Sequence, residues 1–323
     1  MAERRHSGGG PKARLPREIT ARGVNLKANP LWRPRADLLT CHRWRRSSVH
    51  AGASTGSILK PWRLDGDPSV TGGGARHPAS LDDDALVAGI PEAGVTLAPA
   101  LAAESARRRL LAAVPALEHL CCRLAGFGHD REIPEQVAAL DALAQIGGAA
   151  AANAVLRILS KNVVLGPTLA AAVAAAVRLS IVLPEGKALM LLRHADPLVR
   201  GYACRCAPFR PATVSVLVEL LNDLSVDVAT AAACALGRMG QVEARAALLH
   251  RLRQAPTAEI IDAISEVSGD DSAETGDAIV LLGRIARSGG PLAGRAFDAL
   301  AGIDHPRALR LVDVLAAARQ GCS

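Results

Sequence analysis

Ala142-Leu-Ala-Gln-Ile-Gly147 returns 93 residues later as Ala235-Leu-Gly-Arg-Met-Gly240. The same shift lays Ala154-Val-Leu156 on Ala247-Leu-Leu249 and Leu159 on Leu252. Inside that interval, Leu191-Leu192 falls on Leu220-Leu221 at a shift of 29, bringing Val199 onto Val228 and Ala203 onto Ala232. Farther on, Ala263-Ile-Ser-Glu-Val267 and Ala299-Leu-Ala-Gly-Ile303 carry the same apolar spacing. Ninety-three is three times 31, so the chain repeats about every thirty residues. Self-similarity at such a period marks a repeat architecture.

One unit explains why the period exists. In Leu217-Val-Glu-Leu-Leu221 the apolar positions fall at helical spacing, and Asn222-Asp223 close that helix. A second helix is expected from about Val226 to Gly237 or Gly240, where glycine can take the left-handed conformation that ends it. In the preceding unit Asp196-Pro197 offers an N-cap followed by proline at the first helical position. Each helix is apolar on one face only, so a pair cannot stand alone and must stack on its neighbours.

Composition agrees. Half of the 323 residues are apolar but only 2% are aromatic, and the apolar share is mostly Ala, Leu and Val. Ala and Leu are strong helix formers, whereas a β-sandwich or barrel spends aromatic and β-branched residues on its strands. The fold class is all-α.

The net charge of +7 divides unevenly. Residues 1–80 hold 15 Lys/Arg against 5 Asp/Glu, and residues 81–323 hold 23 against 26. The basic character therefore belongs to the first eighty residues, and a nucleic-acid assignment from overall charge fails for the rest. Those eighty residues are rich in Gly, Pro, Ser and Arg, as in Gly8-Gly-Gly-Pro11 and Gly72-Gly-Gly74, with no sustained helical or strand period. They are expected to form a disordered basic arm. The arm holds all three tryptophans, Trp32, Trp44 and Trp62, among arginines as in Cys41-His-Arg-Trp-Arg-Arg46. It reads either as a tether to nucleic acid, with arginines on phosphates and indoles stacking, or as an unstructured tail or translated upstream sequence. Order is expected to begin at Ser80-Leu-Asp-Asp83, read as an N-cap with an acid at N3. A helical stretch is expected to follow from Leu97 to Ala125, broken near Pro115.

Seven cysteines, an odd number without a secretory apolar segment ahead of them, fit reduced thiols and a cytoplasmic location. Val163 to Leu183 is a 21-residue window with one charge, Arg178. Pro167, the alanine content and the fit to the repeat phase set it in the solenoid and not in a membrane.

The stretch Leu191-Leu-Arg-His-Ala-Asp196-Pro-Leu-Val199-Arg200 resembles HEAT repeats in its leucines, turn Asp-Pro and Val-Arg. Leu220-Leu-Asn-Asp223 with Val228-Ala-Thr-Ala-Ala-Ala-Cys-Ala-Leu-Gly237 resembles the next unit, of the short bacterial kind also found in bilin lyases. The resemblance implies a right-handed α-solenoid of about six degenerate pairs over 131–318, preceded by capping helices over 81–130. It also implies that the second helix of each pair lines a concave surface. Here those helices would span about 135–146, 168–180, 197–207, 226–239, 257–267 and 292–302.

Chemistry is sparse. Cys204 and Cys206 lie two apart and point to different sides of a helix. His119 and Cys122 share a face but lack a second ligand pair, so no metal or cofactor is expected. The His-Glu pairs that would resemble a deoxyhypusine hydroxylase are absent, with only Glu118-His119 in reverse order. A HEAT-type alkylpurine glycosylase would want more aromatics than Phe127, Tyr202, Phe209 and Phe297. No phosphate loop, nucleophile elbow or HExxH helix occurs.

The expected function is a non-catalytic scaffold holding a protein partner through the concave face. Two alternatives stay open: an enzyme or small-molecule chaperone of bilin-lyase type, and a nucleic-acid-associated protein acting through residues 1–80. On the concave helices the candidate contacts are Arg178, Arg200, Arg205 and Arg238, followed by Glu259, Asp262 and Glu266, a change of sign along the groove suited to a ligand of opposite polarity. On the first helices, Arg157, Lys161, Arg193, Arg251, Arg253, Arg284 and Arg287 sit toward C-terminal ends. They read as a basic ridge for an acidic partner or as cations complementing helix dipoles.

Overall fold

Alanine at the inward positions of one helix in each pair lets neighbouring axes approach closely, and the architecture follows from that. The computed structural model describes residues 77–320, with side chains to residue 318. The basic arm expected over residues 1–80 lies almost wholly outside them. Among the described residues all regular structure is helical, in fifteen α-helices and three short 3-10 turns. The first three helices are α1 Asp83–Gly89, α2 Ala98–Arg107 and α3 Val114–Arg123. Then come α4 Pro134–Ile146, α5 Gly148–Ser160, α6 Thr168–Arg178, α7 Glu185–Leu192, α8 Pro197–Arg205, α9 Pro211–Leu220 and α10 Val226–Arg238. The last five are α11 Arg245–Gln254, α12 Ala258–Glu266, α13 Ala273–Arg287, α14 Ala293–Gly302 and α15 Pro306–Gln320.

The helices form two layers. Even-numbered helices pack in unbroken succession, α2 on α4, α4 on α6 and so on to α14. Odd-numbered helices pack α3 on α5, α7 on α9, α11 on α13 and α13 on α15, but α5 barely touches α7 and α9 barely touches α11. Each helix is also held by its sequence neighbour in the other layer, as in α7 with α8, α9 with α10 and α13 with α14. This side-by-side order is that of an α-solenoid. The six even helices from α4 to α14 start and end within two residues of the second helices expected from the repeat.

Between the layers runs one apolar core containing Leu117, Leu140, Leu143, Ile158, Leu191, Leu217, Leu248, Ile261 and Leu300, all fully buried. Burying each such side chain contributes on the order of 1.5–3 kcal/mol. In the even layer the core positions are small: Ala139 and Ala142 in α4, Ala172, Ala175 and Ala176 in α6, and Ala231 to Ala233 and Ala235 in α10. At Gly237 α10 comes close against α12. A Cβ there would stand 2.8 Å from both the Cβ and the carbonyl oxygen of Ala263 in α12.

Caps agree in part with expectation. Asp196 accepts from the Leu198 amide at 2.8 Å and Pro197 opens α8, as the sequence indicates. For α1 the cap is Asp82, accepting from Ala85 at 2.7 Å, whereas Ser80 ends a preceding 3-10 turn. Pro115 starts α3 where it was expected to break a longer helix, because a first-turn proline costs no hydrogen bond. The break falls instead at Arg109, at φ 52°. Gly237 lies inside α10, and Gly240 at φ 68° ends it. The window from 163 to 183 contains only α6, eleven residues long, about 16 Å against a bilayer core of about 30 Å. Among the described residues no helix is long and apolar enough to cross a membrane.

Candidate functional site

Arginine at the end of one even helix meets a carboxylate on a neighbouring even helix, and these pairs cover the even layer. Arg178, in the last turn of α6, bonds Asp141 of α4 at 3.0 Å. Arg295 of α14 makes two bonds to Asp262 of α12, one of them at 2.7 Å, and the carboxylate raises the guanidinium pKa further. At the centre the stoichiometry changes. Arg205, in the last turn of α8, crosses α10 to reach both oxygens of Glu259 on α12 at 3.2 and 2.8 Å. Arg238, in the last turn of α10, takes the same carboxylate at 3.1 Å. Two guanidiniums on one carboxylate leave one positive charge uncompensated. Both arginines are about two-fifths exposed, so that charge faces solvent. From Ala231 to Gly237 α10 is buried on every side, packed among α8, α9, α11 and α12.

Glu266, at the end of α12, is exposed and makes no ion pair among the described residues. Asp298 of α14 adds negative charge beside Arg295. The change of sign read along the sequence thus survives pairing only as a residual: positive at the ends of α8 and α10, negative toward α12 and α14.

Arg200 is placed differently from the other candidates. Its Nε and one terminal nitrogen bond both oxygens of Asp223 at 2.9 Å, and its other terminal nitrogen donates to the carbonyls of His194 and Ala195 at 2.8 Å. All three of its nitrogens bond protein, and the guanidinium beside Asp223 holds that carboxyl below its usual range. This is a clamp between the start of α8 and the turn before α10. Arg245 repeats the device from the other layer, buried at the start of α11 and donating to the Val267 carbonyl, Asp270 and Ser272 at 2.8–2.9 Å.

The basic residues of the odd helices are partly spoken for. Arg157 makes a two-pronged bond to Glu118 of α3 at 2.8 and 2.6 Å, and Arg253 bonds Asp277 of α13 at 2.5 Å. Among the described residues no group of His, Cys, Asp and Glu has metal-holding geometry. Cys204, Cys206 and Cys234 are buried, and desolvation pushes each thiol up to about 12, away from the thiolate that redox or nucleophilic chemistry needs.

Asp141 and Arg295 escaped the sequence reading, which took Asp223 as a helix end and not as the partner of Arg200. A signal existed for both missed residues. Asp141 and Arg178 lie 37 apart, and Asp262 and Arg295 lie 33 apart, each close to one period, the spacing that puts residues on adjacent helices of one layer.

Among known families, the one described as HEAT repeats matches residues 187–268, which take in α8 to α12 and most of α7. A search of the curated proteins finds no match.

Proposed function

We propose that this chain, whose residues 187–268 match HEAT repeats, is a non-catalytic scaffold whose even-numbered helices form a concave face that holds a segment of a partner protein. The unequal spacing of the layers supports the concavity. A stack whose even helices touch throughout while its odd helices part at α5–α7 and α9–α11 bends toward the even side. The observation that carries the reading is the pairing of Arg205 and Arg238 with the single carboxylate of Glu259 at the middle of that face. An acidic side chain of a partner completes the charge balance there, while Glu266 and Asp298 meet a basic residue farther along. Arg178 and Asp262, each already neutralised, flank the contact and set its register. Arg200 supports the face from behind through Asp223.

The test uses the full chain as bait in a lysate of its source cells, followed by affinity measurement on the captured protein. Arg205→Glu with Arg238→Glu is expected to weaken binding at least about tenfold, and Glu259→Gln, which removes the competing carboxylate, to strengthen it. Unaltered affinity in the double variant, with unaltered helical content by circular dichroism, removes the concave face from the function.

A further inference from the structure

The break in the odd layer between α9 and α11 leaves an open groove of about 790 Å³. One wall is a face of α9: Pro211, Val214, Ser215 and Val218 fall at helical spacing, and Glu219 flanks them. Phe209, ahead of α9, and Gln241 with Glu243, from the turn before α11, complete the lining. In neighbouring units such a face packs on the next odd helix, as α7 does on α9 and α11 on α13. Here it does not, and Phe209 stands 65% exposed with Val242 beside the groove at 57%. Phe127 is as exposed as Phe209, but Phe209 stands beside the apolar residues Val214 and Val218 of the groove, and an apolar patch of that kind marks a contact surface.

Charge selects the occupant. Glu219 and Glu243 are exposed and have no cation among the described residues. Arg210, next to Phe209, pairs with neither and does not line the groove. Two free carboxylates beside an apolar trough repel nucleic acid and anionic lipid. They suit a cation within reach of an apolar anchor. We propose that the α9–α11 groove is a second docking site, for a protein segment that seats an aromatic or aliphatic side chain against Phe209, Val214 and Val218 and pairs a flanking Lys or Arg with Glu219 or Glu243. It lies on the odd layer, away from the Arg205–Glu259–Arg238 bridge. A two-sided scaffold of this kind holds two partners at once.

The experiment selects a display library of random twelve-residue peptides against the full chain and sequences what is retained. Expected are peptides with an aromatic or aliphatic residue within three positions of Lys or Arg. The best of them should lose at least about tenfold in affinity on Phe209→Ser, and several-fold on Glu219→Gln with Glu243→Gln. It should be insensitive to Arg205→Glu with Arg238→Glu, which separates this site from the concave one. Three results overturn the proposal: no enrichment above the Glu219→Lys, Glu243→Lys double variant; enrichment of acidic peptides; or peptide binding indifferent to all groove variants. Self-association of the wild-type chain that Phe209→Ser abolishes, seen by sedimentation, also overturns it, since the occupant is then a second copy. All variants are surface changes, and unchanged helical content by circular dichroism is the control.

Discussion

Gly237 shows how one residue sets the distance between two repeats. Replacing a mid-helix glycine with alanine ordinarily stabilises by about 1 kcal/mol through helix propensity. At Gly237 the new methyl would stand 2.8 Å from backbone and Cβ of Ala263 and 2.9 Å from Leu248 Cδ1. The backbone of α12 cannot step aside without moving its repeat. Gly237→Ala is therefore expected to destabilise by about 1–3 kcal/mol, the usual cost of overpacking, measured by urea unfolding. Gly283→Ala is the comparison. There the nearest atom is the end of the Leu311 side chain, which can rotate, so the loss should be much smaller. In the sequence the two glycines look alike. Only the neighbour each one faces tells them apart.

The helix ends obey a rule that composition hides. Two residues past the ends of α2, α5, α6 and α10 stand Arg109, Asn162, Ser180 and Gly240, all with φ between 52° and 68°. At each end a backbone amide donates to the carbonyl five residues earlier: Leu110 to Ser105, Val163 to Ile158, Ile181 to Ala176 and Gln241 to Leu236, at 2.9–3.1 Å. This is the glycine-type helix stop, carried out three times without glycine. A side chain in the left-handed region costs about 1 kcal/mol or more, and the packing of the following turn makes that good. Ser180→Gly is thus expected to raise stability by about 0.5–1 kcal/mol with no change in fold, read as a rise in the urea midpoint. Expecting stops at glycine located the end of α10 but left the ends of α2, α5 and α6 soft.

Across the molecule, acid should act unevenly. Arg107 and Arg108 hold Glu104 at about 2, well below 4.5, mainly through their hydrogen bonds. Arg108 also reaches Asp83 at 2.8 Å and the carbonyls of Leu81 and Ala79, tying α1 and the preceding turn to α2. A depressed carboxyl stabilises fully above its unfolded value, and the contribution disappears as pH falls from about 4.5 toward 2. Among the described residues α1 and α2 have repeats on one side only, so hydrogen exchange near pH 3 should show them opening before α8 to α12. Glu104→Gln should shift that opening toward neutral pH. Protection of α1 and α2 equal to that of α10 at pH 3 would contradict the scheme.

The sequence by itself determined the period, the helix class and the even helices to within two residues, because a half-apolar helix repeated every thirty residues has one way to bury itself. It also named most of the charged residues on the even layer. What only the tertiary structure decided was their meaning. Whether Arg200 is a clamp, Arg178 half of a neutral pair, or Arg205 and Arg238 a shared excess of charge depends on carboxylates brought close from 21 to 54 residues away. The α9–α11 groove belongs to the same class. It exists because two odd helices with ordinary apolar faces fail to meet, and spacing between helices is set by the side chains of both layers together.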